Sequence, residues 1–292
     1  MAAGIGALII RARRREGPQE GKEVALRMRP KREIREGEGE ADFMEEVQNE
    51  IRALEGARDL DGVINLHAAY HFAYITYLEM ELLSAERPLS RLASRHLDSE
   101  GRSVLSETQA VEWMAPVADT YAKLLERGID HGDLHLDNIQ YDHQGQAKLI
   151  DVEQAQLYDP QHTRLLSTGP NPKGVRYFQA SRSAAPHTYS PHRLFDPDKA
   201  TVYAVGRMVR MLLEYGHDPA TLDPLSAPFG PSPLRRNVSP TAADLINRTT
   251  AMSPSARPTM AEVLAHPWFR QGAVAPPYAT PTQLPHHPSA LS

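Results

Sequence analysis

The chain has 292 residues, 41% of them hydrophobic, enough to bury a substantial core. Its net charge of −5 leaves no basic footprint for nucleic acid at the level of the whole chain, and no apolar run approaches the ~20 residues that span a bilayer. There is no cysteine, which excludes disulfides and cysteine nucleophiles and suits a reducing compartment. The start, Ala2 to Ile10, is apolar, but its basic cluster (Arg11, Arg13, Arg14, Arg15) follows the apolar part, whereas a signal peptide puts charge first. The expectation is a cytoplasmic protein.

Residues 1–12 and 23–28 read as two strands joined by the polar turn Glu16 to Lys22. Residues 29–41 are charged and glycine-containing and read as loop. Phe43, Val47, Ile51 and Leu54 then recur at helical spacing with charges between them. Residues 62–83, rich in Tyr, Ile and Leu, suit two more strands ending near Met80-Glu81-Leu82. A helix is expected over 107–127, with Val111, Met114, Val117, Tyr121, Leu124 and Leu125 on one side and Gly128 as its stop; Pro116 leaves its first turn open. Residues 156–199 are rich in Pro, Ser and His and read as a long loop. Residues 200–215 read as an apolar helix, 216–239 as a proline-rich loop and 240–270 as two short helices. The tail from Gly272 is expected to be disordered. No internal repeat is present.

The chemistry concentrates between two of these elements. His-Gly-Asp-Leu-His-Leu-Asp-Asn at 131–138 is followed by Leu-Ile-Asp at 149–151. Phosphoryl transfer from ATP needs a carboxylate to position the attacking hydroxyl and further oxygen ligands to hold magnesium on the phosphates. Asp133, Asn138 and Asp151 have the types and spacing for those roles. They resemble the catalytic and metal-binding loops of protein kinases. A second, distant stretch resembles the last helices of eukaryotic-type Ser/Thr kinases: Met252-Ser-Pro-Ser-Ala-Arg257-Pro-Thr259 and Glu262-Val-Leu-Ala-His-Pro-Trp-Phe269. The resemblance covers about residues 4–269. It implies an α+β, two-lobed protein-kinase-like fold over 4–270, with a small β-rich lobe at about 4–81 and a larger helical lobe at about 84–270.

The same resemblance assigns further residues. Gly4 and Gly6 resemble the start of the glycine-rich lid over the phosphates, although Ile9 stands where a third glycine is usual. Val24-Ala25-Leu26-Arg27 resembles the strand whose lysine contacts the phosphates, with Arg27 as the cation, Ala25 against adenine and Glu50 as the helix glutamate that orients Arg27. Met80 would be the gatekeeper, with Glu81 and Leu82 in the hinge. Gln140 stands below the adenine position, where an apolar residue is usual.

Other departures concern control and docking. Gly132 replaces the arginine that reads an activation-loop phosphate, which argues against that form of regulation. His135 replaces a lysine that touches the γ-phosphate. His131 is expected to be a packed spine residue, with Leu54 and Val152. Glu153 replaces the glycine after the metal-binding pair, and Thr201 an aspartate that braces the catalytic loop. Neither Gly174–Arg182 nor Tyr189–Leu194, the two candidates for the end of the activation segment, keeps the glutamate that normally pairs with the arginine at Arg257.

The expected function is ATP- and Mg²⁺-dependent phosphorylation of Ser/Thr hydroxyls on a protein substrate. Asp133 and His135 act at the reacting groups, Asn138 and Asp151 hold metal, and Gly4, Gly6, Ala25, Arg27, Glu50, Met80, Glu81 and Leu82 bind nucleotide. Two alternatives stay open. Arg27, Ile9 and Gln140 would suit a pseudokinase scaffold. His-Gly-Asp-x-His also occurs in aminoglycoside- and choline-type small-molecule kinases, against which the C-terminal helices argue. No nucleic-acid or membrane partner is expected, and the sequence is silent on oligomeric state.

Overall fold

Five antiparallel strands form a sheet at the N-terminal end of the computed structural model, which describes residues 3–4, 7–16, 20–30, 40–83, 88–161, 165–166, 194–214 and 238–271. These strands are β1 (Ala3–Gly4), β2 (Ala7–Arg13), β3 (Glu23–Pro30), β4 (Leu66–His71) and β5 (Ile75–Glu81), in the spatial order β1-β2-β3-β5-β4. Helix α1 (Glu40–Gly56) lies in sequence between β3 and β4 and buries Val47, Ile51 and Leu54, spaced to share one face. Glu50 falls on that same face and is buried with them.

Two expectations are corrected here. The single strand over 1–12 is two strands, because Ala3 and Gly4 pair antiparallel with Leu8 and Ala7. Arg29 and Pro30, expected in a loop, belong to the strand, because Met28, Arg29 and Pro30 pair with Tyr77, Thr76 and Ile75 of β5. That extension keeps Arg29 on the sheet, on the same face as Arg27 two residues before it.

The second lobe is helical. Its first helix, α2 (Leu89–Ser94), was not legible in the sequence; it is only six residues long and shows no full helical period. α3 (Glu107–Glu126) runs through Pro116 and buries all six of the residues expected on its inner side. Burial of that face outweighs the single helical N–H that proline cannot donate. Its start is capped by Ser106, whose side chain accepts from the Gln109 N–H. Four short strands follow: β6 (Ile129–Asp130), β7 (Ile139–Tyr141), β8 (Ala147–Leu149) and β9 (Gln156–Leu157), pairing as β6-β9 and β7-β8. A further pair joins β10 (Leu165–Leu166) to β11 (Leu194–Phe195).

The central helix, α4 (Pro197–Glu214), starts a turn earlier than expected and is buried along most of its length. Gly206 allows α5 (Pro240–Thr249) to approach it; a Cβ at Gly206 would stand 2.0 Å from Thr249 Oγ1. Residues 240–270 hold three α-helices rather than two helices, α5, α6 (Met260–Leu264) and α7 (Pro267–Arg270), with a 3₁₀ turn at Pro254–Ala256. The break between the last two comes at His266, whose ring caps α7 before Pro267. α6 opens with a capping box between Thr259 and Glu262. Residues 216–237 of the loop expected at 216–239, both candidate activation-segment ends up to residue 193, and the tail from 272 lie outside the described residues.

Glu107, in the first turn of α3, ties this lobe together. Its carboxylate accepts from the Ser239 N–H at 2.6 Å, from Ser239 Oγ at 2.7 Å and from Trp268 Nε1 at 3.2 Å. Glu107→Ala should lower stability by about 1.5–3 kcal/mol, the range for hydrogen bonds to charged groups. Urea unfolding checks this, and an unchanged midpoint would show that water replaces these bonds without cost.

Candidate active site

The catalytic-loop residues are held by their apolar neighbours. Leu134, Leu136 and Ile139 are buried and anchor the loop between β6 and β7; between them Asp137 is exposed, His135 half-buried and Asn138 buried. A short 3₁₀ turn at Leu136–Asn138 presents Asn138, whose Nδ2 donates to the Asp133 carbonyl at 2.9 Å and to Asp133 Oδ2 at 3.3 Å. Gln154 Nε2 reaches the same carboxylate at 3.5 Å, and His135 Nε2 lies 3.4 Å from it. Burial pulls the His135 pKa down, but its hydrogen bond to Asp133 and the charges of Asp133, Asp137 and Asp151 outweigh this and raise it. His131 is buried, with Nε2 3.0 Å from the Ile150 carbonyl and its ring edge-on to Tyr121. Burial lowers its pKa, which suits a neutral packing residue. Leu54 and Val152 are buried in the same core.

The Ile150 N–H donates to the Asn138 carbonyl at 2.9 Å, so the metal-loop strand is bonded to the catalytic loop. Asp151 then adopts φ 62°. Among non-glycine residues Asp tolerates the left-handed region better than most, at a cost of order 1–3 kcal/mol.

Arg27 reaches Asp151 across 124 residues of sequence. Its Nη2 donates to Asp151 Oδ1 at 2.8 Å and to Glu153 Oε2 at 2.6 Å, and its Nη1 stands 3.0 Å from Glu50 Oε1. The expected Arg27–Glu50 pair is therefore formed. Burial works against the Arg27 charge, but Glu50, Asp151 and Glu153 more than compensate and raise its pKa. Asp151 is likewise disfavoured by burial, yet the charge and hydrogen bond of Arg27 hold its carboxyl below the usual range. Glu153 differs: burial and the Asp151 charge push it up to about 7 against the pull of Arg27 and Arg29.

Arg29 was missed in the sequence. Its Nη1 donates to Glu50 Oε2 at 3.1 Å and to Glu153 Oε2 at 2.7 Å. The signal was the two-residue spacing from Arg27, obscured by ending the strand at residue 28.

At the hinge, Ala25 and Met80 are cross-strand partners and both are buried. Glu81 is held through both its backbone and its side chain. Its N–H donates to the Asn65 carbonyl at 3.0 Å, while its carboxylate accepts from the Asn65 N–H at 2.8 Å and pairs with Lys148 of β8 at 3.2 Å. Glu81 thus clamps the hinge to the helical lobe. Leu82 is half-buried beside it, and Gln140 bridges to Pro88. Gly4 lies in β1; Gly6 lies outside the described residues.

The profile of the protein kinase domain family matches residues 11–269. The chain belongs to the protein kinase family. It is 26% identical over 247 residues to mouse sperm motility kinase 2B, covering 83% of this chain and 47% of that protein. It is 26% identical over 278 residues to the serine/threonine-protein kinase PLK4 of Nematostella vectensis, with 92% and 26% covered. A match of 26% over 269 residues to calcium-dependent protein kinase 9 of Oryza sativa subsp. japonica covers 87% and 42%. The chain spans about a quarter to a half of the length of these relatives.

Within this kinase domain the catalytic loop carries two further constraints. Gly132 has φ +78°, and a Cβ there would stand 2.2 Å from the Gln154 carbonyl oxygen. That close approach explains why no larger residue occupies the position. Asp130, just before His131, is a buried carboxyl that accepts from the Gly132 N–H; burial pushes its pKa up to about 6. Among the described residues no cation is paired with it, and nothing in its apolar neighbour Ile129 flagged it in the sequence.

A carboxyl raised on folding binds more protons folded than unfolded, so stability falls as pH rises from about 4 to about 6, and the cost is complete above that. Asp130→Asn should therefore stabilise the domain at pH 7–8 by up to about 3 kcal/mol and change little near pH 4. Urea unfolding at both pH values checks this; an equal effect at the two would show that Asp130 is solvated.

Proposed function

We propose that this kinase domain transfers the γ-phosphoryl group of ATP to Ser/Thr hydroxyls of a protein substrate. The observation that carries the reading is the convergence of Asp133 and Asn138, 3.3 Å apart, with an Asp151 already bonded to the Arg27–Glu50 pair. The serine/threonine-protein kinase among the relatives supports the choice of acceptor. Asp133 orients the substrate hydroxyl and accepts its proton. His135, raised in pKa beside it, steadies the γ-phosphate. Arg27, oriented by Glu50, anchors the phosphates, and Ala25, Met80, Glu81 and Leu82 line the adenine pocket, with Gly4 and Gly6 in the lid.

The donor set suits magnesium. The Asn138 amide nitrogen is spent on Asp133, which leaves its oxygen for a metal, and Asp151 is held ionised by Arg27. Among the described residues no cluster of three or more His, Cys, Asp or Glu is placed to hold a metal by itself. Magnesium typically takes only one or two protein carboxylates and completes its shell with phosphate and water. Asn138 and Asp151 would hold the ion, which when bound would offset the phosphate charge.

One observation favours a second reading, a scaffold with weak or no catalysis: Arg27 is already engaged by three carboxylates. A thermal shift with ATP, with and without Mg²⁺, separates the two, and no shift under either condition favours the scaffold.

Asp133→Ala should lower kcat by ~10²–10⁴-fold with little change in the KM for ATP, because Asp133 acts on the hydroxyl in the transition state. Unchanged turnover in a radiolabelled transfer assay would remove Asp133 from the mechanism. Asp151→Ala should abolish the Mg²⁺-dependent part of ATP binding while the protein stays folded; equal Mg²⁺–ATP affinity in mutant and wild type would remove Asp151 from the metal site.

A further inference from the structure

Arg27 and Arg29 stand two residues apart on one face of β3, with Glu50 behind both: Oε1 lies 3.0 Å from Arg27 and Oε2 3.1 Å from Arg29. One oxygen of Glu153 then bridges the two guanidiniums, 2.6 Å from Arg27 Nη2 and 2.7 Å from Arg29 Nη1. We propose that Arg27 and Arg29 together form a seat for a phosphate group, and that Glu153 fills this seat until the polyphosphate of a nucleotide displaces it. The proposal rests on the nucleotide reading above and adds Arg29 to the binding site and Glu153 as its internal competitor.

Three observations carry it. Carboxylate and phosphate are the anions that guanidinium groups recognise with charge-assisted hydrogen bonds, so one can substitute for the other on the same donors. Glu153 is the carboxylate able to leave. The Glu50 side chain is 1% exposed on the inner face of α1, whereas that of Glu153 is 20% exposed on a turn after Asp151. Asp151 meets Arg27, whereas a single oxygen of Glu153 meets both guanidiniums. The charge balance points the same way. Two guanidiniums face Glu50, Asp151 and Glu153, with Glu46 4.0 Å from Arg29. Three carboxylates outnumber the two guanidiniums, and withdrawal of Glu153 removes one negative charge from the path of an arriving polyanion.

The test is calorimetric titration of the whole chain with ATP in the presence of a chelator, so that no magnesium contributes. Glu153→Gln should bind magnesium-free ATP roughly ten- to a hundredfold tighter than wild type, as expected when one or two charge-assisted bonds need no longer be displaced. Adding Arg29→Gln to that variant should remove most of the gain. Equal or weaker magnesium-free binding by Glu153→Gln, with wild type still binding, overturns the inference and leaves the nucleotide reading standing. A loss confined to Mg²⁺–ATP would make Glu153 a metal ligand and also overturns it. Absence of magnesium-free binding by wild type and both variants overturns the inference, and absence of binding after Mg²⁺ is added back overturns the nucleotide reading as well. If Glu153→Gln does not fold, judged by its unliganded melt, Glu153→Asp withdraws the carboxylate by one methylene and should tighten magnesium-free ATP in the same direction.

Discussion

Two buried guanidiniums on one strand constrain everything around them. Arg27 and Arg29 are nearly inaccessible to water, so their charges must be met from within the protein. α1 supplies Glu50, and the segment after β8 supplies Asp151 and Glu153. Such a cluster adds little net stability, because desolvation offsets the Coulomb attraction, but breaking it strands a charge at a cost of about 3–5 kcal/mol. The sheet, the helix and the metal loop are therefore locked in one relative arrangement. That arrangement holds Asp151 in its left-handed backbone conformation, within reach of Asn138 through the Ile150 N–H.

Two other departures from the family pattern have local physical answers. Arg257, for which no glutamate was found in the sequence, donates to the carbonyls of Ala251, Met252 and Lys199 and lies 4.6 Å from the centre of the Tyr203 ring. Backbone acceptors and an aromatic face thus surround this guanidinium. Gly132 is required by the Gln154 carbonyl, and Gln154 in turn reaches Asp133. The turn that follows Asp151 thereby shapes the catalytic loop as well as the cation site.

The order of elements and the motif Asp133, Asn138, Asp151 were legible because they are local. Helical periodicity identified the buried side of α3, and the six residues expected there are all buried. The strand ends, α2 and the split between α6 and α7 were not legible. They depend on cross-strand partners, on a helix too short to show its period and on the capping of Pro267 by His266. Glu81 read as a hinge residue, and the pairing of its carboxylate with Lys148 came only from the meeting of two distant segments.

By itself the sequence determined which side chains could serve phosphoryl transfer, since residue type and short spacing are written directly in it. It also determined that Arg27 stands where a lysine is usual. Only the tertiary structure decided how that arginine is satisfied. Arg29 and Glu153 are 124 residues apart in the chain, and no pattern of spacing reports a contact at that distance. Their meeting follows from the extension of β3 to Pro30 and from the turn after Asp151. Low dielectric then strengthens the contact.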